Sequence, residues 1–301
     1  MGSEHPETHP HRLTFYSLLT TRYSLLGPMP RVTGLFLYPV KSIRGHAVPV
    51  AEFDDWGFVG DRRFLIVHEA DGLFITQRTH PRLALIDAML SADALALSAA
   101  GHGSVAVPPS ASTGLRRVTV WKSTATADDC GDEPAEWLSD LLGLPLRLVR
   151  MGGTYQRPIV KPTAQPGDVV TFADAYPFLA ISEASLAHLN DRIQETHGEP
   201  VPMNRFRPNL VVADCAAFAE DGWSRVRIGD AVFRNGGPCA RCIVTTTDQF
   251  TGKRMGKEPL KTLATFRRDP ADPTDVNFGV NLIHESKQGT ICVGDIVVPA
   301  P

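Results

Sequence analysis

From Arg31 onward the chain is cut into short apolar and β-branched runs by Gly, Pro and Asp, and this punctuation constrains the fold more than any other feature. "GLFLYPV", "RRFLIVHE", "GLFITQR", "LALIDAM", "ALALSAA", "SVAVPP" and "RRVTVW" follow one another through the first half. "NLVVAD", "RVRIGDAVF", "CIVTTTD" and "ICVGDIVVP" continue the pattern in the second. Runs of about four to eight residues between turn signals predict strands of a sandwich or barrel, not alternating β-α units. Gly229-Asp230 and Gly294-Asp295 each predict a tight turn between strands.

Two segments carry helical spacing instead. "DEPAEWLSDLLG" has Asp132 as the expected N-cap, Pro134 in the first turn, Trp137, Leu138, Leu141 and Leu142 on one face, and Gly143 as a stop. "SEASLAHLNDRIQETHG" has Ser182 as cap, Leu186, Leu189 and Ile193 at helical spacing, and Gly198 at its end. The expected fold class is mostly β with a few helices (α+β). Two glycines and a proline in "RMGGTYQRP" place a boundary near Arg150, giving expected domains over 31–150 and 151–301.

Composition narrows the function. With 43% hydrophobic and 21% charged residues, the 301-residue chain reads as soluble and globular. A formal charge of -3 and the lack of Lys/Arg runs with interleaved aromatics argue against nucleic acid as a partner. Five scattered cysteines suit a reducing compartment, so the expected localisation is cytoplasmic. Residues 1–30 are rich in His, Pro, Thr and Ser and are interrupted by Thr20, Thr21 and Arg22, which predicts a disordered extension rather than a membrane anchor.

"GGPCARCIVTTTD" holds the one closely spaced cysteine pair, Cys239 and Cys242. Zinc needs a second ligand pair, which the isolated remaining cysteines do not offer. A thioredoxin-type dithiol needs a helix N-terminus, whereas the β-branched run after Cys242 predicts a strand. Two ordinary buried cysteines are the bland alternative. Arg241, between the two sulfurs, argues the other way, because a cation favours the thiolate that binds a soft metal. "YPVKSIRG", "GDRRF" and "RFRPNLVV" place Lys41, Ser42, Arg44, Arg62, Arg63, Arg205 and Arg207 at strand ends and turns, with Arg205 and Arg207 expected on one side of an extended segment. Together with Cys-Ala-Arg-Cys they suit a phosphorylated, metal-bearing cofactor held by arginines and one thiolate.

At these phrases the sequence resembles the two-part MOSC proteins, and in particular the amidoxime-reducing component of mitochondria and its bacterial relatives. "YPVKSIRG", "DRRFLIV", "DDCGDEPAEWLS", "PFLAISEASLAHLN", "RFRPNLVV", "CARCIVTTTD" and "KEPLKTL" stand in the family's order. The resemblance implies an N-terminal β-barrel domain followed by a MOSC β-barrel domain, with a molybdenum cofactor (molybdopterin) between them. It implies Cys242 as the metal ligand and catalytic residue, with Cys239 a bystander. Lys41, Ser42, Arg63, Arg207, Asn209 and Arg241 would hold the cofactor, with Asp174 and Asn281 at the pocket edge. Ala240 departs from relatives that have a hydroxyl residue there.

The implied activity is molybdenum-dependent oxidoreductase chemistry, the removal of oxygen from N-hydroxylated or N-oxide substrates. No iron–sulfur or flavin motif is present, so a separate ferredoxin or flavoprotein reductase is the expected electron donor. A molybdenum-cofactor carrier and a persulfide sulfur-transfer protein are the alternatives. Asp248 follows Cys242 closely, but an Asp in that place is more often a turn residue than a proton donor.

Overall fold

A computed structural model describes residues 29–300 except Asp93, Pro109 and Ala111; the extension expected over 1–30 lies outside these apart from its last two residues. With strands numbered in chain order, β1 (Arg31–Leu37) and β2 (His46–Val48) belong to an eight-stranded sheet. Their partners are β12 (Phe178–Ser182), β13 (Leu210–Ala213), β14 (Arg225–Ile228), β15 (Ala231–Ala240), β16 (Asn277–His284) and β18 (Val297–Ala300). The sheet order is β18-β14-β15-β16-β12-β13-β1-β2. A three-stranded sheet joins β3 (Val50–Asp54) and β4 (Gly57–Phe58) to β17 (Gly289–Cys292). A four-stranded sheet has β5 (Phe64–His68), β11 (Leu146–Arg150), β10 (Ser123–Asp129) and β9 (Leu115–Val120) in that order. The meander β6 (Asp87–Leu90), β7 (Leu95–Ala99) and β8 (Gly103–Val107) completes the strands.

Among the described residues the α-helices are α1 (Asp132–Leu142), α2 (Glu183–Glu195) and the single turn α3 (Leu260–Leu263). The protein is mostly β with a few helices, as the punctuated sequence implies. Named strands pair antiparallel with one exception, β12 against β13. Parallel neighbours need a crossover rather than a hairpin, and α2 is that crossover.

The continuous apolar run in β5 has a simple cause. Phe64 and Ile66 face a core shared with Leu83, Leu97, Leu138 and Leu148, where α1 packs. Leu65 and Val67 face the other way, against Val118, Val149, Tyr155 and Phe172. Both faces of the strand are buried, so strict alternation is lost. A separate core lies between the eight-stranded sheet and β3–β4, where Phe58 meets Phe178 edge-on at 4.9 Å.

Several local expectations need correction. Asp132 does not cap α1; the N-cap is Gly131, and Asp132 pairs with Arg147 at 2.7 Å. Ser182 does cap α2, accepting from the Ser185 N–H at 3.0 Å, but His197 rather than Gly198 takes the left-handed position after it. "LALIDAM" opens as the 3-10 turn Pro81–Leu85, and "GLFITQR" makes only isolated bridges. Gly229-Asp230 joins β14 to β15 in a two-residue hairpin, whereas the turn at Gly294-Asp295 links strands of different sheets. Main-chain pairing also crosses the boundary expected at Arg150. β1 pairs with β13, and β3 pairs with β17.

Candidate functional site

The phrase "YPVKSIRG" begins where β1 ends, and its tyrosine is the centre of the site. Tyr38 is 3% exposed, and its hydroxyl donates to the Pro208 carbonyl at 3.0 Å. The Arg62 guanidinium lies 4.4 Å from one ring centroid contact and that of Arg207 lies 4.3 Å, so one ring serves two cations. Burial pushes the Tyr38 hydroxyl up to about 12 against the pull of Arg207, Arg62 and Arg241. Gly45 makes the packing possible, since a Cβ there would meet the Tyr38 ring at 2.3 Å.

Three residues of this region hold left-handed backbone angles without being glycine: Ser42 at φ 70, Arg62 at φ 49 and Arg207 at φ 55. Such angles persist where surrounding bonds enforce them. For Ser42 the enforcing bond comes from Gln77, whose amide donates to the Ser42 carbonyl at 2.8 Å and pairs reciprocally with Gln249. For Arg62 it comes from Asp61 at 2.6 Å, the Asn209 side-chain oxygen at 3.0 Å and the Arg207 carbonyl at 3.4 Å. Burial opposes the Arg62 charge, but Asp61 and Tyr38 more than restore it, so its pKa is raised. Burial lowers that of Arg207 to about 10.

Lys41 is 5% exposed and donates to the Asp174 carboxylate at 2.5 Å. The Trp121 indole N–H reaches the same oxygen at 2.9 Å. Burial pushes Lys41 down despite Asp174, while Asp174 is held below the usual carboxylate range because Lys41 and Trp121 outweigh its own burial. Behind them Arg157, 4% exposed, donates to the carbonyls of Thr171, Ala173 and Asp174.

The cysteine turn stands at the end of β15, not at the start of a strand. Cys242 is half-buried and caps a 3-10 turn over Ile243–Thr246. The strand expected there does not form, because Thr245 and Thr246 send their hydroxyls back to the carbonyls of Cys242 and Ile243 at 2.9 and 2.8 Å. Arg241 donates to the Cys239 sulfur at 2.8 Å and to the Phe206 carbonyl at 2.6 Å. The cation therefore meets Cys239, where burial nonetheless keeps the thiol pKa raised. Cys239 feels the charges of Asp174 and Cys242 as well, so the sulfur pair and the Lys41–Asp174 pair share one neighbourhood.

Lys41, Ser42, Asp174, Arg207, Asn209, Arg241 and Cys242 are thus brought together. Asn209 reaches the group indirectly; it is 1% exposed and its amide is committed to Arg62 and the Phe36 carbonyl. Asn281 binds the carbonyls of Gly237 and Pro238, bracing the bulge of β15 before Cys239. Arg63 is not part of the group. It points at Asp54, 2.6 Å away, and at the carbonyls of the β3–β4 hairpin, because the left-handed angle at Arg62 sends adjacent side chains in different directions. Arg205 and Arg207 do not share an extended segment either; Arg205 ends a 3-10 turn and faces Asp248. Asp248 accepts from the N–H groups of Phe250 and Thr251, so it is a turn residue as expected.

Residues 29–145 match the MOSC N-terminal beta barrel domain, and residues 167–298 match the MOSC domain. The chain belongs to the MOSC family. It is 36% identical over 296 residues to human "Mitochondrial amidoxime-reducing component 1", covering 92% of this chain and 85% of that protein. The mouse protein of the same name is 37% identical over 282 residues, with 88% and 81% covered. Bovine "Mitochondrial amidoxime reducing component 2" is 35% identical over 281 residues, with 88% and 82% covered. Within this MOSC chain, sequence reasoning missed Tyr38, Trp121 and Arg157 as neighbours of the site, and of the two arginines it named in "GDRRF" the resemblance put forward Arg63 where the structure turns Arg62 inward. Tyr38 and Arg62 both lie inside quoted phrases, and Gly45 beside a large ring was the available signal.

Among the described residues no group of three or more His, Cys, Asp or Glu is placed to hold an ion. No helix among them is long and apolar enough to cross a membrane.

Proposed function

We propose that the protein is a molybdenum-cofactor-dependent reductase of N-hydroxylated or N-oxide compounds that takes its electrons from a separate protein. The observation that carries this reading is the clustering of Arg62, Arg207 and Arg241 about Tyr38 and of Lys41 on Asp174, in the neighbourhood of the Cys239–Cys242 turn. The residues fit such a cofactor on two counts. Among the described residues neither Arg207 nor Arg241 has a carboxylate within ion-pair distance, and Arg241 Nε is buried without a partner. A phosphate accepts from guanidinium groups in this state, and a half-buried thiol suits a soft metal. The names of the amidoxime-reducing relatives supply the substrate class.

In this reading Lys41, Ser42, Arg62, Arg207 and Arg241 bind the cofactor, and Cys242 is its protein ligand. Asn209, Asp61 and Tyr38 position the arginines. Asp174 and Asn281 stand at the edge, with Asp174 fixing the Lys41 ammonium. Bound there, the cofactor supplies the two-electron chemistry that removes oxygen from nitrogen. Overall, an amidoxime, two electrons and two protons give an amidine and water.

Expression in a molybdenum-replete, cofactor-producing host tests the reading. The wild type should contain molybdenum and reduce benzamidoxime with reduced methyl viologen, but not with NADH alone. Cys242→Ser should lose both metal and turnover, while Cys239→Ser keeps the metal. A wild type that carries molybdenum without turnover points to a carrier, and one that carries none sinks the proposal.

A further inference from the structure

Beside the site lies a surface that cofactor binding does not use. Trp121, 41% exposed, sits at the turn between β9 and β10, with the Arg78 guanidinium 4.4 Å from its ring and Lys122 next in the chain. The Arg254 guanidinium donates to the Arg78 carbonyl, tying this corner to the loop that follows Cys242. That loop is a tight hairpin, with Thr247 bridged to Arg254 and the Asp248 N–H on the Lys253 carbonyl at 2.7 Å. Its Gly252 packs against Arg82 and Leu85, where a Cβ would meet the Arg82 backbone at 3.3 Å. Arg78, Arg82, Lys122, Lys253 and Arg254 therefore form one contiguous group, and all five are exposed.

Among the described residues none of the five has an ion-pair partner. The carboxylates nearby are already committed, Asp174 to Lys41, Asp87 to Arg44 and Asp248 to Arg205. In a chain of formal charge -3, five unpaired cations on one rim are a local reversal of sign. Large apolar side chains stand among them: Phe250 is 67% exposed, Met255 59% and Ile243 40%. Aromatic, Met and Arg side chains together are the composition of a protein interface core rather than of a solvated face.

The rim is also continuous with the site. Trp121 bonds Asp174, which holds Lys41, and the Met255 N–H bonds the Thr246 carbonyl in the turn after Cys242. We infer that this rim, Arg78–Arg82–Lys122–Lys253–Arg254 with Trp121, Phe250 and Met255, is the docking face for an acidic electron-donor protein. The inference rests on the proposed reductase activity for the donor's role, and on charge complementarity for its chemistry. Two electrons are consumed per substrate, so a one-electron donor docks, is oxidised and leaves twice in each turnover.

The probes are two acidic proteins, an oxidised plant-type [2Fe–2S] ferredoxin and a flavodoxin, and the variant is Lys122→Glu/Lys253→Glu/Arg254→Glu. Binding is read by interferometry at low and at physiological salt. At least one probe should bind, with affinity falling as salt rises, and the triple variant should weaken it roughly tenfold or more. With the reduced probe as donor, kcat/KM for that donor should fall by a similar factor, while viologen-driven benzamidoxime turnover stays at the wild-type level. The inference is overturned if neither probe binds, if the variant binds as the wild type does, or if viologen-driven turnover falls in parallel. It is equally overturned if anionic phosphatidylserine vesicles or duplex DNA bind the rim more tightly than either protein. Absence of viologen-driven turnover in the wild type defeats the reductase reading instead, and the binding arm still decides the docking face.

Discussion

Arg62 and Arg63 show how far a single residue is settled by its backbone. The two stand side by side in "GDRRF", yet one guanidinium stacks on Tyr38 and the other is drawn to Asp54. We expect Arg62→Gln to reduce molybdenum content on the order of tenfold, by analogy with supporting residues at other metal sites, as read by metal analysis. Arg63→Gln should leave the metal in place and cost about 1–3 kcal/mol of stability through its lost bonds, as read by denaturant titration. The turn itself could be read from the sequence, because a charged pair flanked by Gly60 and Phe64 announces one. Which arginine turns inward could not, since it depends on a φ of 49° imposed by Asn209, distant in sequence. Cys239 makes the same point from the other side. Arg241 was read as a cation beside both sulfurs, yet its guanidinium donates to Cys239, the sulfur expected to be a bystander to the metal.

At the scale of elements, β16 carries a titratable group inside the apolar core. His284 is 1% exposed, packed edge-on against Phe53 and Phe178, with Nε2 2.7 Å from the Asp54 carbonyl and Nδ1 without a partner. Nε2 must then carry the proton and donate. Burial depresses its pKa from 6.5 to about 4. The unfolded chain takes up a proton near pH 6.5 that the folded chain refuses until about pH 4. Stability should therefore be full above about pH 6.5 and fall by on the order of 3 kcal/mol as the pH drops toward 4. Denaturant titrations across that window should show the slope, and His284→Gln should flatten it.

The fastening of α1 to β11 gives a second test at this scale. Asp129, 5% exposed, accepts from Arg147, from Arg116 and from the Gly131 N–H, and these bonds outweigh its burial and hold its pKa low. Asp129→Ala leaves Arg147 largely buried without its main partner and should cost about 3–5 kcal/mol, read as a fall in denaturation midpoint. The element pattern was mostly visible in advance because turn residues and apolar runs are local signals. It failed at "CIVTTTD", where threonine hydroxyls compete for the backbone, and at "GLFITQR", which meets β5 at Phe74 and β9 at Leu73 through single bridges and forms no continuous ladder with either.

For the whole molecule, the order of strands matters more than their number. The sequence suggested a division at Arg150, yet β1 and β2 close the eight-stranded sheet whose other members follow residue 177, and β3 and β4 await β17. We expect a fragment covering 31–150 to lack cooperative unfolding, and the full chain to lose near-UV and far-UV signals in one coincident transition. Separate transitions for the two halves would overturn that expectation. The Tyr38 hydroxyl and its Pro208 acceptor are 170 residues apart along the chain. At roughly 5–20 residues per second on the ribosome, the tyrosine waits on the order of ten to thirty seconds for its acceptor to be made. Through that interval β1 is a nascent strand with an unpaired edge, and a cell making this protein must keep it from pairing with a neighbouring copy until the second half of the message has been translated.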